Sequence, residues 1–232
     1  MCHKREGGAE ERITKKEKPN NEYKQDPTIL TEEQLKRLQN CTRYTAEEIS
    51  AWHAGFLKDC PSGKLDKKQF LNVYKKFYPE GKADKYCNFV FKAFDSDGNG
   101  WIDFTEFLTA VGLSQHGELK DKLGMAFDIY DQNKDGQINR KDMVKIIEAM
   151  YDLANEEDRR GEKAPEKRVE LIMKRLNKDD IVLRLEFIQG CLKDEFLRKI
   201  LAPNTAQPFG MNTTDGVQTT TINISDETGA AV

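Results

Sequence analysis

Apolar residues recur three and four positions apart in eight runs of this chain, and each run is flanked by polar residues. The runs cover residues 45–58, 70–79, 84–94, 107–115, 118–130, 143–153, 166–174 and 187–201. In the third run the repeating apolar set is Cys87, Val90, Phe91 and Phe94. Because an α-helix turns once in about 3.6 residues, this spacing places the apolar side chains on one face. Each run is therefore predicted to be an amphipathic helix.

Two threonines predict helix starts near the beginning of this pattern. Thr45 is followed three residues later by Glu48, which is the signature of a capping box. A shorter helix over residues 31–40 is predicted before it, with Thr31 as its N-cap and Leu35 and Leu38 as its apolar edge.

The eight runs form four pairs, each joined by a polar loop. Loops that begin at Lys58, Asp95 and Asp131 lie 37 and 36 residues apart, and a fixed period of that size indicates a repeated helix–loop–helix unit. One such unit cannot bury its apolar face alone, so the first loop is predicted to pair with the second, and the third with the fourth. The sequence thus predicts an all-α fold of two lobes, residues 31–115 and 116–202, joined by a turn around residues 112–117.

The second loop, residues 95–106, reads DSDGNGWIDFTE and matches a calcium-binding pattern at every defined position. Gly100 permits the sharp turn that wraps the chain around an ion, and Trp101 offers its backbone carbonyl. Carboxylates held this close together repel one another without a cation, so the loop is predicted to bind calcium. The predicted ligands are Asp95, Asp97, Asn99, Trp101, Asp103 and Glu106.

The third loop, residues 131–142, keeps most of the pattern but ends in Asp142 where glutamate is expected. The shorter side chain reaches an ion less well, so we expect either weaker calcium binding or binding of the smaller magnesium ion. The predicted ligands are Asp131, Asn133, Asp135, Gln137 and Asp142, with Asn139 at the ninth position.

The first and fourth loops have lost their ligands, and both are predicted to bind no metal. Loop 1 has Lys58 at its first position and Cys60 at its third, so a cation and a thiol replace two carboxylates. Loop 4, aligned on Val182 and Glu186, begins with Arg175 and has Asp180 in place of the turn glycine. Both loops are expected to serve as structural partners of loops 2 and 3.

Composition excludes several other functions. With 33% charged residues and a net charge of −3 among 232 residues, the chain has no basic footprint for nucleic acid. No stretch of apolar residues is long enough to span a membrane, and the N-terminus has no apolar signal segment. The five cysteines show no zinc-like spacing, which favours a reduced, cytoplasmic protein. His3, His53 and His116 stand singly, and the sequence contains no Gly-rich phosphate loop, so no catalytic residue is predicted and the chain is not expected to be an enzyme.

Both ends of the chain are polar. Residues 1–30 are predicted to be a flexible arm and residues 203–232 a disordered, threonine-rich tail, because neither has enough apolar surface to offset the entropy of ordering. The arm does not begin Met-Gly, so no N-myristoyl anchor is predicted. Cys2 is either a free thiol or a palmitoylation site.

The chain resembles a known family over about residues 31–202. The run FLKDCPSGKL, with Cys-Pro inside a disabled first loop, is followed by KFYPEGKADKYCNFVFKAFDSDGNGWIDFTEF. This combination is similar to the neuronal calcium sensors of the recoverin, frequenin and neurocalcin type, and the N-terminal extension is similar to that of their potassium-channel-interacting branch. The resemblance implies a compact, recoverin-like globule of four EF-hands in two pairs.

The resemblance also implies that calcium exposes a groove on the N-terminal pair, which takes an amphipathic helix of a target protein. Family targets include ion channels, receptors, kinases and cyclases. By position, the groove would be lined by Trp52, Phe56, Phe70, Phe77, Phe89, Phe104 and Leu108. Core packing is the alternative for each of them, but Trp52, Phe56 and Phe89 fall off the inward stripe of their helices and favour a partner surface.

Two hypotheses follow from the sequence. The first is a calcium sensor that regulates a target through the groove and reaches membranes only through that partner. The second is a constitutive subunit or calcium buffer, in which the metal is structural and no groove opens.

Overall fold

The computed structural model describes residues 26–77, 82–178 and 180–202, without the side chains of residues 73, 76 and 77. Within these residues the chain forms ten α-helices and four short β-strands. The helices are α1 Glu32–Thr42, α2 Ala46–Asp59, α3 Lys67–Phe77, α4 Ala83–Phe94, α5 Phe104–His116, α6 Leu119–Tyr130, α7 Arg140–Leu153, α8 Pro165–Arg175, α9 Arg184–Lys193 and α10 Glu195–Leu201. The strands are β1 Lys64–Asp66, β2 Trp101–Asp103, β3 Gln137–Asn139 and β4 Ile181–Leu183.

The helix starts follow from short-range hydrogen bonds. Thr45 begins α2 with the predicted capping box, in which the Glu48 amide donates to its hydroxyl at 3.2 Å and its own amide donates to Glu48 at 2.8 Å. Thr31 caps α1 in the same way, with Gln34 as the reciprocal partner. Both predicted caps are confirmed, and each satisfies backbone donors that the first helical turn leaves without partners.

The short strands pair the loops as predicted. Strand β1 of loop 1 is antiparallel to β2 of loop 2, with Leu65 opposite Ile102. Strand β3 of loop 3 is antiparallel to β4 of loop 4, with Ile138 opposite Val182. All four of these side chains are buried, so each strand pair also closes the hydrophobic core of its lobe.

The apolar faces identified in the sequence form this core. Cys87, Val90, Phe91 and Phe94 of α4 are all at most 5% exposed. The buried side chains of the two lobes belong to one continuous hydrophobic cluster. Phe56 is a correction to the sequence interpretation, because it is only 7% exposed and packs against the rings of Phe104 and Phe107. Helix α5 covers a side chain that the pattern of α2 alone places outside the core.

Within the N-terminal lobe, α1 lies across α5. A Cβ atom added to Gly112 would lie 2.5 Å from the Cβ atom of Thr42 in α1. The predicted turn over residues 112–117 is therefore wrong in extent: α5 continues to His116, and the absence of a side chain at Gly112 allows the close approach of α1.

A contact between the two lobes centres on Asp152 at the end of α7. Its backbone carbonyl accepts from the Lys82 amide at 2.8 Å, just before α4 begins. Its carboxylate is paired with Lys85 at 3.0 Å and with Arg159 at 2.7 Å. These contacts join the start of α4 to the end of α7.

The predicted N-terminal arm lies mostly, and the predicted C-terminal tail entirely, outside the described residues, as does Cys2. In the described part of the arm, Asp26 accepts hydrogen bonds from the amide and the hydroxyl of Thr28. Among the described residues, no helix has both the length and the hydropathy needed to cross a membrane.

Candidate metal centre

Loop 2 folds around the carboxylate of Asp95, which follows the last residue of α4. This aspartate is 7% exposed, and its two oxygens accept from the amides of Asn99 at 2.9 Å and Gly100 at 3.0 Å. Gly100 has a φ of +91°, a left-handed conformation that side chains disfavour. The sequence prediction of a tight turn at Gly100 is confirmed.

Glu106 closes the loop from the opposite end. Its Oε1 atom accepts from the Ser96 amide at 2.8 Å and from the Ser96 hydroxyl at 2.7 Å, while its Oε2 accepts from the Asp103 amide at 3.2 Å. Carboxylate oxygens of Asp95, Asp97 and Glu106 come within 4.8 Å of one another. Burial raises the pKa of Glu106, and the hydrogen bonds from Ser96 act in the opposite direction.

The donor set of loop 2 fits a hard divalent cation. Three carboxylates converge on one volume, and Asn99 and Asp103 lie beside them in the same loop. Calcium takes six to eight oxygen ligands at about 2.3–2.6 Å and tolerates irregular geometry. A bound calcium ion would supply the positive charge that offsets the mutual repulsion of these carboxylates.

Loop 3 begins like loop 2 but ends differently. Asp131 is also 7% exposed, and its carboxylate accepts from the amides of Asp135 and Gly136 at 3.1 and 2.8 Å. Asp142, however, is paired with Lys145 at 2.8 Å and accepts from the Asn139 side chain at 2.6 Å. Its carboxylate is thus engaged on the helix side of the loop, whereas Glu106 reaches back to the start of loop 2.

Loop 1 has replaced the closing carboxylate with an amide. Gln69 and Asp66 cap α3 reciprocally, with amide-to-oxygen distances of 2.8 and 3.1 Å. Gly63, at the turn position, has a φ of +69°, and a Cβ atom there would lie 2.5 Å from the carbonyl oxygen of Pro27. The chain that precedes α1 therefore packs directly onto loop 1.

In loop 4 a lysine is paired with the carboxylate at the closing position. The Lys178 ammonium donates to Oε1 of Glu186, the residue at the closing position. This hydrogen bond holds the pKa of Glu186 below its usual value. Arg175, at the first position, is directed away from the loop and donates to Asp194 at 2.8 Å. Asp179 lies outside the described residues.

A pocket of about 460 Å³ opens between α2 and the other helices of the N-terminal lobe. It brings together Trp52, Phe56 and Phe70 of the predicted groove, and adds Phe107, which was not among the predicted groove residues. Phe104 and Leu108 are buried at 3% and 0% exposure and do not line this pocket. Phe89 is half-buried and packs on the core elsewhere, and the side chain of Phe77 lies outside the described part of the chain.

Two residues of these sites were missed by sequence reasoning. Ser96 holds Glu106 but occupies a loop position that the calcium pattern leaves undefined, so no local signal marks it. Lys178 could have been found from the sequence, because it is a basic residue inside a loop that has no turn glycine and ends in a glutamate with which a lysine can pair.

Comparison with known proteins identifies EF-hands in this chain. An EF-hand domain pair matches residues 61–112 and again 120–192. S-modulin of Aquarana catesbeiana is 38% identical over 178 residues, which cover 74% of this chain and 88% of that protein. Recoverin of Homo sapiens is 35% identical over 178 residues, which cover 74% of this chain and 89% of that protein.

The chain belongs to the neuronal calcium sensor family. The fold of the two lobes is accordingly a recoverin-like, all-α arrangement of EF-hands. Membership also supports calcium binding and a role as a calcium sensor in signalling, and it gives no positive sign of catalysis.

Proposed function

We propose that this neuronal calcium sensor regulates a target protein by binding an amphipathic helix of that target in the pocket lined by Trp52, Phe56 and Phe107. We also propose that calcium binding opens this pocket. The supporting observation is that the metal loop and the pocket share adjacent residues of α5. Glu106 closes loop 2, and Phe107 is the next residue along the helix. A shift of Glu106 toward an ion therefore moves the wall of the pocket.

The ring contacts give this movement a direct consequence. Phe107 lies 5.3 Å from Phe56 and 6.1 Å from Trp52, measured between ring centroids. Rotation of α5 relative to α2 changes both contacts and exposes apolar surface. An ion favours the open state only as far as it binds that state more tightly.

The chemistry of the pocket favours a particular kind of partner. Its interior is aromatic and aliphatic, while Glu48 and Asp59 also belong to its lining. Such a surface suits a helix with one apolar face and basic residues beside it. The target class we propose is an ion channel, receptor, kinase or cyclase, met in the cytoplasm or at a membrane to which the partner is attached.

The metal ligands follow from the loops. In loop 2 we propose calcium held by the six residues that the sequence predicted. In loop 3 we propose calcium or magnesium held by the predicted set that ends in Asp142. The short side chain of Asp142 favours a magnesium-loaded loop 3 at rest, with loop 2 carrying the calcium signal, and this is compatible with a sensor and with a constitutive subunit.

Calcium titration at constant magnesium tests the proposal, with an anilinonaphthalene sulfonate dye to report exposed apolar surface. A sensor increases dye emission at micromolar calcium, whereas a buffer binds calcium without that increase. Trp52→Ala should keep calcium binding and lose most of the dye signal. Trp101→Phe is the matched control, because position 101 is expected to offer only its backbone carbonyl to the ion. The Lys64 ammonium lies 3.8 Å from the centroid of the Trp101 ring, and a phenyl ring can keep this contact. A dye signal unchanged in Trp52→Ala would place the opening surface elsewhere.

A further inference from the structure

Lys134 of loop 3 crosses to loop 2, although the strands pair loop 2 with loop 1. Its ammonium donates to the backbone carbonyl of Asp95 at 2.8 Å and to that of Ser96 at 3.1 Å. Asp95 is the first predicted ligand of loop 2. The contact therefore joins the two metal loops across the boundary between the lobes.

The backbone of Lys134 is held in an unfavourable conformation. Its φ is +56°, and Gly98, at the equivalent fourth position of loop 2, has a φ of +70°. The loop geometry thus requires a left-handed residue at this position, where glycine is the residue without strain. A lysine there projects its side chain in a fixed direction, toward the neighbouring loop.

A second side chain of loop 3 makes a parallel link. The Gln132 amide nitrogen donates to the carbonyl of Ile129 at 2.7 Å and to that of Phe89 in α4 at 3.3 Å. Helix α4 ends at Asp95. Two residues of loop 3 therefore contact the helix that leads into loop 2 and the first residues of that loop.

Hydrogen bonds connect the first ligand of one loop to that of the other. The Lys134 amide donates to the carbonyl of Asp131 at 3.3 Å, which closes a turn at the start of loop 3. Its ammonium then reaches the carbonyl of Asp95. Carbonyls at the end of a helix have no intrahelical partner. A lysine that donates a hydrogen bond to such a carbonyl fixes the last turn of the helix. The position of Asp95 thus depends on the turn at Asp131.

We propose that Lys134 is a positioning residue that couples the two metal sites. Metal in loop 3 orders the turn from Asp131 to Lys134, which holds Asp95 in place and raises the calcium affinity of loop 2. By linkage, metal in loop 2 raises the affinity of loop 3 by the same factor. This inference rests on the proposed binding of metal in both loops.

The charge of Lys134 has a separate and opposite effect, because an ammonium near loop 2 repels a cation. That repulsion is present whether loop 3 is full or empty. The change in loop 2 affinity when loop 3 is blocked therefore isolates the coupling from the charge.

A cycle of four proteins tests the proposal: the wild-type chain, Asp142→Asn to block loop 3, Lys134→Gly, and the double variant. Glycine is chosen because Gly98 occupies the matching position of loop 2. Terbium luminescence sensitised by Trp101 reads loop 2 alone, since loop 3 has Gln137 at the equivalent position, and displacement by calcium gives the loop 2 affinity. Lys141→Met, which removes an exposed lysine of the same loop, controls for the loss of charge.

We expect Asp142→Asn to weaken calcium binding at loop 2 by about fivefold or more in the wild-type and Lys141→Met backgrounds, and by less than about twofold in the Lys134→Gly background. Equal weakening in all three backgrounds, or none in the wild type, overturns the role of Lys134 while leaving metal binding intact. A wild-type chain that takes up no calcium overturns the proposed metal sites and the coupling together.

Discussion

The hydroxyl of Ser96, at the second position of loop 2, lies 2.7 Å from Oε1 of Glu106 at the twelfth. The two ends of the loop are therefore joined through the residue that is expected to complete the metal shell. Little rearrangement of the backbone separates this arrangement from one in which Glu106 contacts an ion. In loop 3, Asp142 makes its contacts with Asn139 and Lys145 instead.

Replacing Glu106 with glutamine should lower calcium affinity at loop 2 by at least about tenfold, because affinity in these loops depends on the number of charged ligands. Equilibrium dialysis with calcium measures the loss of one site. Glu186→Gln is the matched control: it makes the same change in loop 4, where the carboxylate is paired with Lys178, and should leave calcium binding unaltered. Similar losses in both variants would show that loop 2 is not the main site.

Replacing Asp142 with glutamate should strengthen calcium binding at loop 3 by about tenfold and weaken its preference for magnesium, because the longer side chain can bind calcium with both oxygens. Competition between the two ions, followed by isothermal titration, measures both effects. Asp142→Asn should abolish binding in the same assay. An unchanged affinity in Asp142→Glu would mean that side-chain length at this position does not limit the site.

Replacing Gly112 with alanine should destabilise the protein by about 1–3 kcal/mol, because the new methyl group would overlap Thr42 of α1. Denaturant unfolding measures the free energy. Gly55→Ala is the control, since a Cβ atom at this helical position has no neighbour within 4 Å. Alanine there should be neutral or stabilising by up to about 1 kcal/mol. Equal effects at both glycines would contradict the close crossing of α1 and α5.

Replacing Asp152 with asparagine should remove a pH-dependent contribution to stability of about 1 kcal/mol, since its partners Lys85 and Arg159 are partly exposed. Burial alone would raise the pKa of this carboxyl, but the hydrogen bonds from Arg159 and Lys85 bring it below the ordinary value of 3.8. A lowered folded pKa means that the stabilisation is complete above pH 3.8 and is lost as the pH falls through the lower folded value.

Unfolding of the wild type and Asp152→Asn in the presence of a calcium chelator measures this difference from neutral to acidic pH. The gap between the two free energies of unfolding should be largest near neutral pH and should close in acid. Asp158→Asn is a useful comparison, because that aspartate has only exposed or loosely paired partners. A gap that widens in acid would contradict the assigned pKa direction.

Helix starts and loop pairing could be predicted because their causes lie within a few residues. Thr45 and Glu48, three residues apart, form a cap. Side chains alternate between the two faces of each short strand, and this alternation places Leu65 and Ile102 on the buried face. The metal pattern is local in the same way, since it spans one loop.

The contacts that sequence reasoning missed join residues far apart along the chain. Lys134 and Asp95 are separated by 39 positions, and no local pattern indicates that their loops lie side by side. The burial of Phe56 was missed for a related reason: the periodicity of α2 describes only that helix, whereas the burial of Phe56 depends on where α5 lies. The extent of α5 was misjudged because glycine is frequent in turns, and here Gly112 serves a helix crossing.

The pairing of Leu65 with Ile102 has a consequence for how this chain can vary. Loop 1 has Lys58 and Cys60 where the calcium pattern has carboxylates, so that pattern does not constrain its side chains. The strand within loop 1 is constrained, because Leu65 lies opposite Ile102 in the strand of loop 2, where we propose that calcium binds. The register of loop 1 is thereby tied to that of loop 2, whatever side chains the rest of loop 1 carries.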